Sequence, residues 1–218
     1  SMAEISRAAS FGKLNPLLYK AIEGATVFAK LRGNPYVELV HWLNQILQLQ
    51  DSDLHRALRH FQVDSSSLAH DIVEAIDRLP HGASSISDLS EHIDTAVERA
   101  WVYGTLMFGD SQVRSGYLLI GMLKTPSLRN ALFSISRQFE RLKPEALTDE
   151  FTNIAGGSPE ERLGTSDAVS AGAPGEASGA MAPAQLGKQE ALKRFSVDLT
   201  DKARKGELDP VTGRDEEI

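Results

Sequence analysis

The segment Val37-Glu-Leu-Val-His-Trp-Leu43 decides the fold, because a related segment returns later in the chain as Val113-Arg-Ser-Gly-Tyr-Leu-Leu119. The offset that places Val37 on Val113, which we call the repeat shift, also places Gly33 on Gly109. In each copy, a helix with alanines on one face leads to a short glycine-containing turn, one or two extended residues and an apolar helix. This agreement in order, turn and helix type indicates a duplicated helical unit.

Around these two segments, apolar residues recur at the three- and four-residue spacing of helices that are buried on one side. The stripes are Leu18, Ile22, Ala25 and Ala29; Val40, Leu43, Ile46 and Leu47; Ile93, Ala96, Val97 and Ala100; and Leu118, Leu119, Met122 and Leu123. Asn15 before Pro16 predicts a helix start, because Asn caps free N–H groups and proline suits the first helical position. Ser87 and Ser90 are candidate caps before the third stripe. Strand-like alternation is nearly absent, so residues 1–155 are predicted to form an all-α domain.

Residues 156–187 differ from the rest of the chain in composition. Most of this segment is Gly, Ala, Ser or Pro, and none of it is aromatic. Such a segment buries too little apolar surface to offset the entropy that is lost on ordering, so we expect a flexible linker. In residues 188–218, acidic and basic side chains are interleaved, and a helix is expected from about Gln189 to Lys205.

The composition of the chain excludes several classes of function. It contains no cysteine, which rules out disulfides, thiolate metal sites and cysteine nucleophiles. Its formal charge of −7 argues against a nucleic-acid scaffold. No apolar run is long enough to span a bilayer. The cytoplasm is therefore the simplest expected location.

No catalytic or metal-binding motif stands out in the sequence. The six histidines lack the spacing of a zinc-binding helix, and no serine lies in a nucleophile elbow. Paired carboxylates such as Asp51 and Asp53 are typical of solvated charges or helix ends. The phosphate-binding pattern Gly-x-x-x-x-Gly-Lys-Ser/Thr is missing, so this chain is predicted to hold no cofactor or metal and to hydrolyse no ATP.

The repeat resembles the amino-terminal domain of the Clp family of ring-forming AAA+ protein unfoldases. The resemblance covers residues 14–155, with Leu54 to Leu79 similar to a closing pair of helices. It returns at residues 192–218, which are similar to the entry to the first ATPase module. Within the family, Leu31-Arg-Gly-Asn-Pro-Tyr-Val-Glu-Leu-Val-His-Trp42 and Leu123-Lys-Thr-Pro-Ser-Leu-Arg129 resemble the ClpV branch, which acts in type VI secretion.

This resemblance implies a pseudo-twofold double four-helix repeat, with an extra amino-terminal helix within Ile5 to Phe11. It divides the chain into a recognition domain at 1–155, the linker at 156–187 and a truncated entry to the first ATPase module at 188–218. The implied partner is an amino-terminal helix of a VipB-like sheath subunit in the bacterial cytoplasm, with no nucleic acid or membrane involved. ATP, Mg²⁺ and a hexameric ring are implied for the full-length protein, and a monomer for this chain.

The resemblance also implies a peptide groove between the extra helix and the loop before the second repeat. One wall is expected to comprise Ala8, Phe11, Leu14 and Leu18, and the other Ser85, Ile86 and Leu89. An amphipathic helix can lay its apolar face in such a groove. For Phe11 and Ile86, completing the core is an equal alternative.

Three other functions remain open at this level. An adaptor-docking domain, as in other Clp proteins, would bind a folded adaptor through a polar patch. A small helical hydrolase would show turnover. A nucleic-acid module would bind DNA in a salt-dependent way.

Overall fold

The computed structural model describes residues 6–163 of the chain. The first half, in chain order, contains α1 (Arg7–Phe11), α2 (Pro16–Leu31), β1 (Tyr36–Val37), α3 (Leu39–Leu47), α4 (Asp53–His60) and α5 (Ser65–Asp77). The second half contains β2 (Asp88–Leu89), α6 (Glu91–Phe108), α7 (Ser115–Leu123), α8 (Pro126–Ile135), a 3-10 helix (Arg137–Arg141), α9 (Pro144–Asp149), α10 (Phe151–Ala155) and a 3-10 helix (Pro159–Arg162). The predicted all-α class is confirmed, since the two strands are each only two residues long, and α1 confirms the extra amino-terminal helix.

The duplication predicted from the sequence is present in the fold. The repeat shift places both ends of α3 on the ends of α7, and α2 packs on α3 as α6 packs on α7. The preceding turns match as well, because Gly33 and Gly109 both adopt positive φ angles, of 71° and 62°. Glycine reaches this region without the steric cost that a Cβ atom brings.

The two repeats are joined by short parallel pairings ahead of their main helices. In β1 and β2, Val37 pairs with Leu89, and an isolated bridge pairs Leu14 with Val113. Each pairing therefore joins an extended residue of the first repeat to an extended residue of the second repeat. The two halves share a single apolar core, in which Trp42 is buried and donates from Nε1 to the carbonyl oxygen of Leu18 at 3.1 Å.

The helix starts follow the predicted capping chemistry in most cases. The Asn15 side chain accepts from the backbone N–H of Leu18, with Pro16 at the first helical position of α2. Ser90 caps α6 by accepting from the N–H of His92. Ser87 does not cap a helix, because β2 rather than a helix follows it; its N–H donates to the carbonyl oxygen of Pro35.

Ordered structure continues beyond position 155, where the sequence prediction placed the start of the linker. The 3-10 helix at Pro159–Arg162 packs on the domain, and the side chain of Glu160 has no exposed surface. Composition failed here because a single buried acidic side chain, rather than an apolar stripe, fixes the segment. The remaining linker residues, 164–187, and the predicted helix after them lie outside the described residues.

Within residues 6–163, no helix combines the length and apolar character that crossing a membrane requires. The same range contains no group of three or more metal-ligating side chains that could hold a metal ion.

Candidate peptide-binding site

The extra helix α1 is fixed to the second repeat by one arginine and one aromatic ring. Arg7 donates from Nε and Nη2 to Asp94 at 3.0 and 2.8 Å, and from Nη1 to Asp88 at 2.7 Å. Phe11 is fully buried in the common core. We call α1 together with residues 84–89 the seam. The two sides of the seam are therefore linked by the Arg7–Asp88 ion pair, while Phe11 anchors α1 in the core.

The seven predicted wall residues occupy different depths at the seam. Phe11, Leu14 and Leu18 have no exposed surface, and Ile86 and Leu89 retain 7% and 6%. Ala8 is half-buried and Ser85 is exposed. The structure thus places Phe11 and Ile86 in the core, which was the alternative interpretation of these two residues. Of the seven, only Ala8 and Ser85 are substantially accessible to another chain.

The loop on the second side of the seam is held by backbone hydrogen bonds to the first repeat. The N–H of Ala83 donates to the carbonyl oxygen of Gly33 at 2.8 Å, and the N–H of Ser87 donates to that of Pro35 at 2.7 Å. The Lys30 ammonium group donates to the carbonyl oxygen of Ser84. These bonds fix the backbone conformation of the loop and therefore the position of Ser85.

A buried histidine supports the same loop from below. Nδ1 of His41 accepts from the backbone N–H of Glu38 at 2.8 Å, which makes Nε2 the protonated nitrogen, and Nε2 donates to Oδ1 of Asn34 at 2.9 Å. Nδ2 of Asn34 then donates to the carbonyl oxygen of Pro80 at 2.8 Å. Burial, together with the nearby Arg32 charge, lowers the pKa of His41 to about 3. The imidazole is therefore a neutral structural link to the seam loop.

A concave surface lies on the first repeat, between α3, α4 and α5. We call it the first-repeat groove; it encloses about 560 Å³, and its apolar lining comprises Leu47, Leu58, Val63, Leu68, Ala69 and Ile72. Asn44, Gln48, His55, Arg59 and Ser65 complete the lining. Most of these apolar side chains come from α4, α5 and the turn between them. The sequence prediction contained no groove here.

A cluster of buried charged groups fixes the carboxyl end of the described chain. Asp53 receives two hydrogen bonds from Arg114, at 2.7 and 2.9 Å. Glu160 accepts from Nδ2 of Asn15 at 2.9 Å and from the backbone N–H groups of Asp53 and Ser115 at 2.8 and 2.7 Å. Burial, and then the neighbouring Asp53 charge, raise the pKa of Glu160. Of the two interpretations of Asp53, the helix-end one is confirmed, since Asp53 begins α4, and the solvated-charge one is wrong, since Asp53 is buried.

The fold defines a class of protein: an internally duplicated, all-helical domain whose described residues include an open apolar groove. The model of the Clp repeat (R) N-terminal domain family matches residues 13–153. This chain belongs to that family, which confirms the resemblance inferred from the repeat.

A curated relative indicates which branch of the Clp family this chain is similar to. It is 66% identical over 218 residues, all of this chain, to the AAA+ ATPase ClpV1 of Pseudomonas aeruginosa. It spans 24%, about a quarter, of that protein's length.

Solved structures place the similarity in the described domain. One solved structure is 66% identical in sequence to this chain and matches it with a TM-score of 0.71. It was described in work on the coevolution of the ATPase ClpV, the TssB–TssC sheath and the accessory HsiE protein, which distinguishes two type VI secretion classes. It covers 73% of this chain and 98% of the solved chain. A complex of a ClpV N-domain with a VipB peptide shares the fold at 22% identity and a TM-score of 0.60, covering 69% of this chain and 91% of the other.

Proposed function

We propose that this domain captures a helical segment of a type VI secretion sheath subunit and delivers it to the ATPase ring of a ClpV-like unfoldase. The single observation that carries the proposal is the 66% identity to ClpV1 along the whole chain. The equally similar solved structure is described together with the TssB–TssC sheath. A ClpV N-domain of the same fold was solved with a VipB peptide.

The partner helix is proposed to lie across the seam. Exposed Ser85 and half-buried Ala8 would touch it directly, together with the small exposed edges of Ile86 and Leu89. Phe11, Leu14 and Leu18 would support these walls from within the core. Burial of a few apolar anchors on the helix must offset roughly 2–5 kcal/mol for ordering it, so a micromolar affinity, about −8 kcal/mol, is expected.

The rest of the protein would supply the motor. We propose residues 164–187 as a linker, residues 188–218 as the entry to the first ATPase module, and ATP, Mg²⁺ and a hexameric ring in the bacterial cytoplasm for the complete chain. A domain on such a tether raises the local concentration of its bound helix over the ring. Enzymatic work would then belong to the ring and recognition to this domain.

The test is a fluorescence-anisotropy titration of this chain with a labelled peptide of the amino-terminal helix of a VipB-type sheath subunit. A micromolar dissociation constant is expected. Ser85→Glu places a charge on an exposed position of the seam and should weaken binding at least about tenfold, because the apolar helix face would have to cover it. Ser127→Glu, a matched change on exposed α8, should leave binding unchanged.

Binding that survives Ser85→Glu would remove the seam from the proposal. No binding of the sheath peptide, with retained binding of a folded adaptor protein, would replace sheath capture by the adaptor-docking alternative.

A further inference from the structure

The first-repeat groove contains a buried polar group whose bonding is incomplete. Asn44 is only 5% exposed and lies in the lining, among aliphatic side chains. Its Nδ2 donor has no hydrogen-bond partner within residues 6–163. An unsatisfied buried donor is costly, so such a group in a groove points to an acceptor supplied from outside.

The internal repeat shows that the fold does not require a polar residue at this position. The repeat shift, which relates α3 to α7, places Asn44 on Ile120. Ile120 is fully buried and apolar. The same scaffold position therefore accepts an aliphatic side chain, and the amide of Asn44 is a feature of the first repeat alone.

The lining of the groove contains one arginine and no carboxylate. The acidic side chain that Arg59 influences, Asp51, is already bonded to Arg56. Arg59 is exposed at the groove and forms no ion pair with the described residues, while none of the lining residues is Asp or Glu. In a chain whose formal charge is −7, a groove with a cation and no carboxylate favours an acidic ligand.

We propose that the first-repeat groove is a second docking surface, which binds an extended apolar peptide segment that carries an acidic side chain. The aliphatic lining takes the apolar side chains, Asn44 donates to a backbone carbonyl of the peptide, and Arg59 pairs with its carboxylate. An extended segment fits better than a helix, because helical carbonyl groups before the last turn are already bonded internally. A partly unfolded client of the ring presents such segments. This surface is separate from the seam.

The test uses this chain labelled with ¹⁵N and the acetylated, amidated peptide Gly-Leu-Glu-Leu-Ile-Gly. Titration should shift the side-chain amide signals of Asn44, with a dissociation constant of roughly 0.1–1 mM for so short a ligand. The same peptide with Lys in place of Glu should bind at least about tenfold more weakly, as the cation of Arg59 requires. Equal binding of both peptides, or no shift of the Asn44 amide at saturating peptide, would overturn the proposal.

Three variants complete the test. Arg59→Glu and Asn44→Ile should each weaken peptide binding at least about tenfold, the second by installing the residue found in the other repeat. Lys20→Glu, an equal charge reversal on exposed α2, should have no effect. Because Arg59 is exposed, the Arg59→Glu variant should retain the fold. Its peptide affinity therefore tests the proposal even if Asn44→Ile alters the packing of the domain.

The seam and the groove are distinguished by crossing the two assays. Groove variants should leave sheath-helix binding unchanged, and Ser85→Glu should leave hexapeptide binding unchanged. Loss of sheath-helix binding in Arg59→Glu, with retention in Ser85→Glu, would overturn the second-surface proposal and move sheath capture to the groove.

Discussion

Protonation of His41 should destabilise the domain in mild acid. The neutral imidazole accepts from the N–H of Glu38 and donates to Asn34, so a second ring proton would face an N–H donor. The pKa of His41 is about 3 in the folded state, against about 6.5 in an unfolded chain. The unfolded state therefore binds more protons between these values, and stability is lost as pH falls through this window.

The magnitude follows from the two pKa values. At pH 7.5 neither state is appreciably protonated, and the contribution is close to zero. At pH 5 the unfolded imidazole is almost fully protonated while His41 in the fold is not. This difference favours unfolding by a factor of about 30, or about 2 kcal/mol. Such a loss is a large part of the stability of a typical domain.

Urea unfolding followed by tryptophan fluorescence at pH 7.5 and pH 5.0 measures this loss. His41→Gln should remove the pH dependence of about 2 kcal/mol, and His81→Gln, at an exposed position, should retain it. The ionisation of Glu160 changes stability with pH in the opposite direction, because its raised pKa makes ionisation destabilising as pH rises. This contribution is the same in wild type and variant, so it cancels when the two pH profiles are compared. Parallel pH profiles for wild type and His41→Gln would refute the reasoning.

Three further predictions concern packing and the buried charges. Phe11→Ala should lower the free energy of unfolding by about 3–5 kcal/mol, because Phe11 is fully buried; a loss below about 1 kcal/mol in urea unfolding would mean that α1 is peripheral. Glu160→Ala should cost about 3 kcal/mol by leaving buried donors unsatisfied, and protease cleavage near residue 160 should accelerate; unchanged cleavage would show that the 3-10 helix does not depend on this side chain. Gly121→Ala should cost about 1–3 kcal/mol in thermal unfolding, since its Cβ would lie 2.9 Å from the backbone nitrogen of Ala100; an unchanged Tm would contradict the close approach of α6 and α7.

Sequence patterns predicted the parts of this fold that depend on local chemistry. The duplication, the glycine turns and the caps at Asn15 and Ser90 follow from spacing and hydrogen-bonding capacity, and the structure contains them. Burial depth could not be predicted in the same way. Phe11 is equally compatible with an exposed anchor and with a core residue, because the answer depends on α6, which lies in the other repeat.

The buried charged groups show the same limitation more strongly. Glu160 lies in a segment whose composition is typical of a linker, and its order depends on donors that come from the starts of α2, α4 and α7. Asn44 gave no signal either, because a single polar residue on an apolar helix is ordinary until its neighbours are known. Long-range polar pairing, rather than apolar periodicity, decides the position of Glu160, whereas Asn44 is distinguished by a buried Nδ2 donor without a partner within residues 6–163.

The two repeats share one equivalent hydrogen bond, but the groups that surround this bond differ between them. The repeat shift places Asn34 on Asp110 and His41 on Tyr117. The hydroxyl of Tyr117 donates to Asp110 at 2.9 Å, as Nε2 of His41 donates to Asn34 at 2.9 Å. In the first repeat the amide of Asn34 has a remaining donor, which holds the seam loop at Pro80.

A carboxylate at the same position has no such donor. Asp110 therefore cannot make the equivalent bond, and the ring of Tyr117 instead stacks on Phe108 and contacts Phe151. The hydrogen-bonded pair thus supports the loop at Pro80 in the first repeat, and its counterpart lies beside an aromatic cluster in the second. The two halves therefore differ by an amide replaced with a carboxylate, and by Asn44 in the position of Ile120. Exchanging Asn34 for Asp should consequently loosen the seam loop while leaving the second repeat intact, which faster amide hydrogen exchange at Ala83 and Ser87, with unchanged exchange in α7, would show.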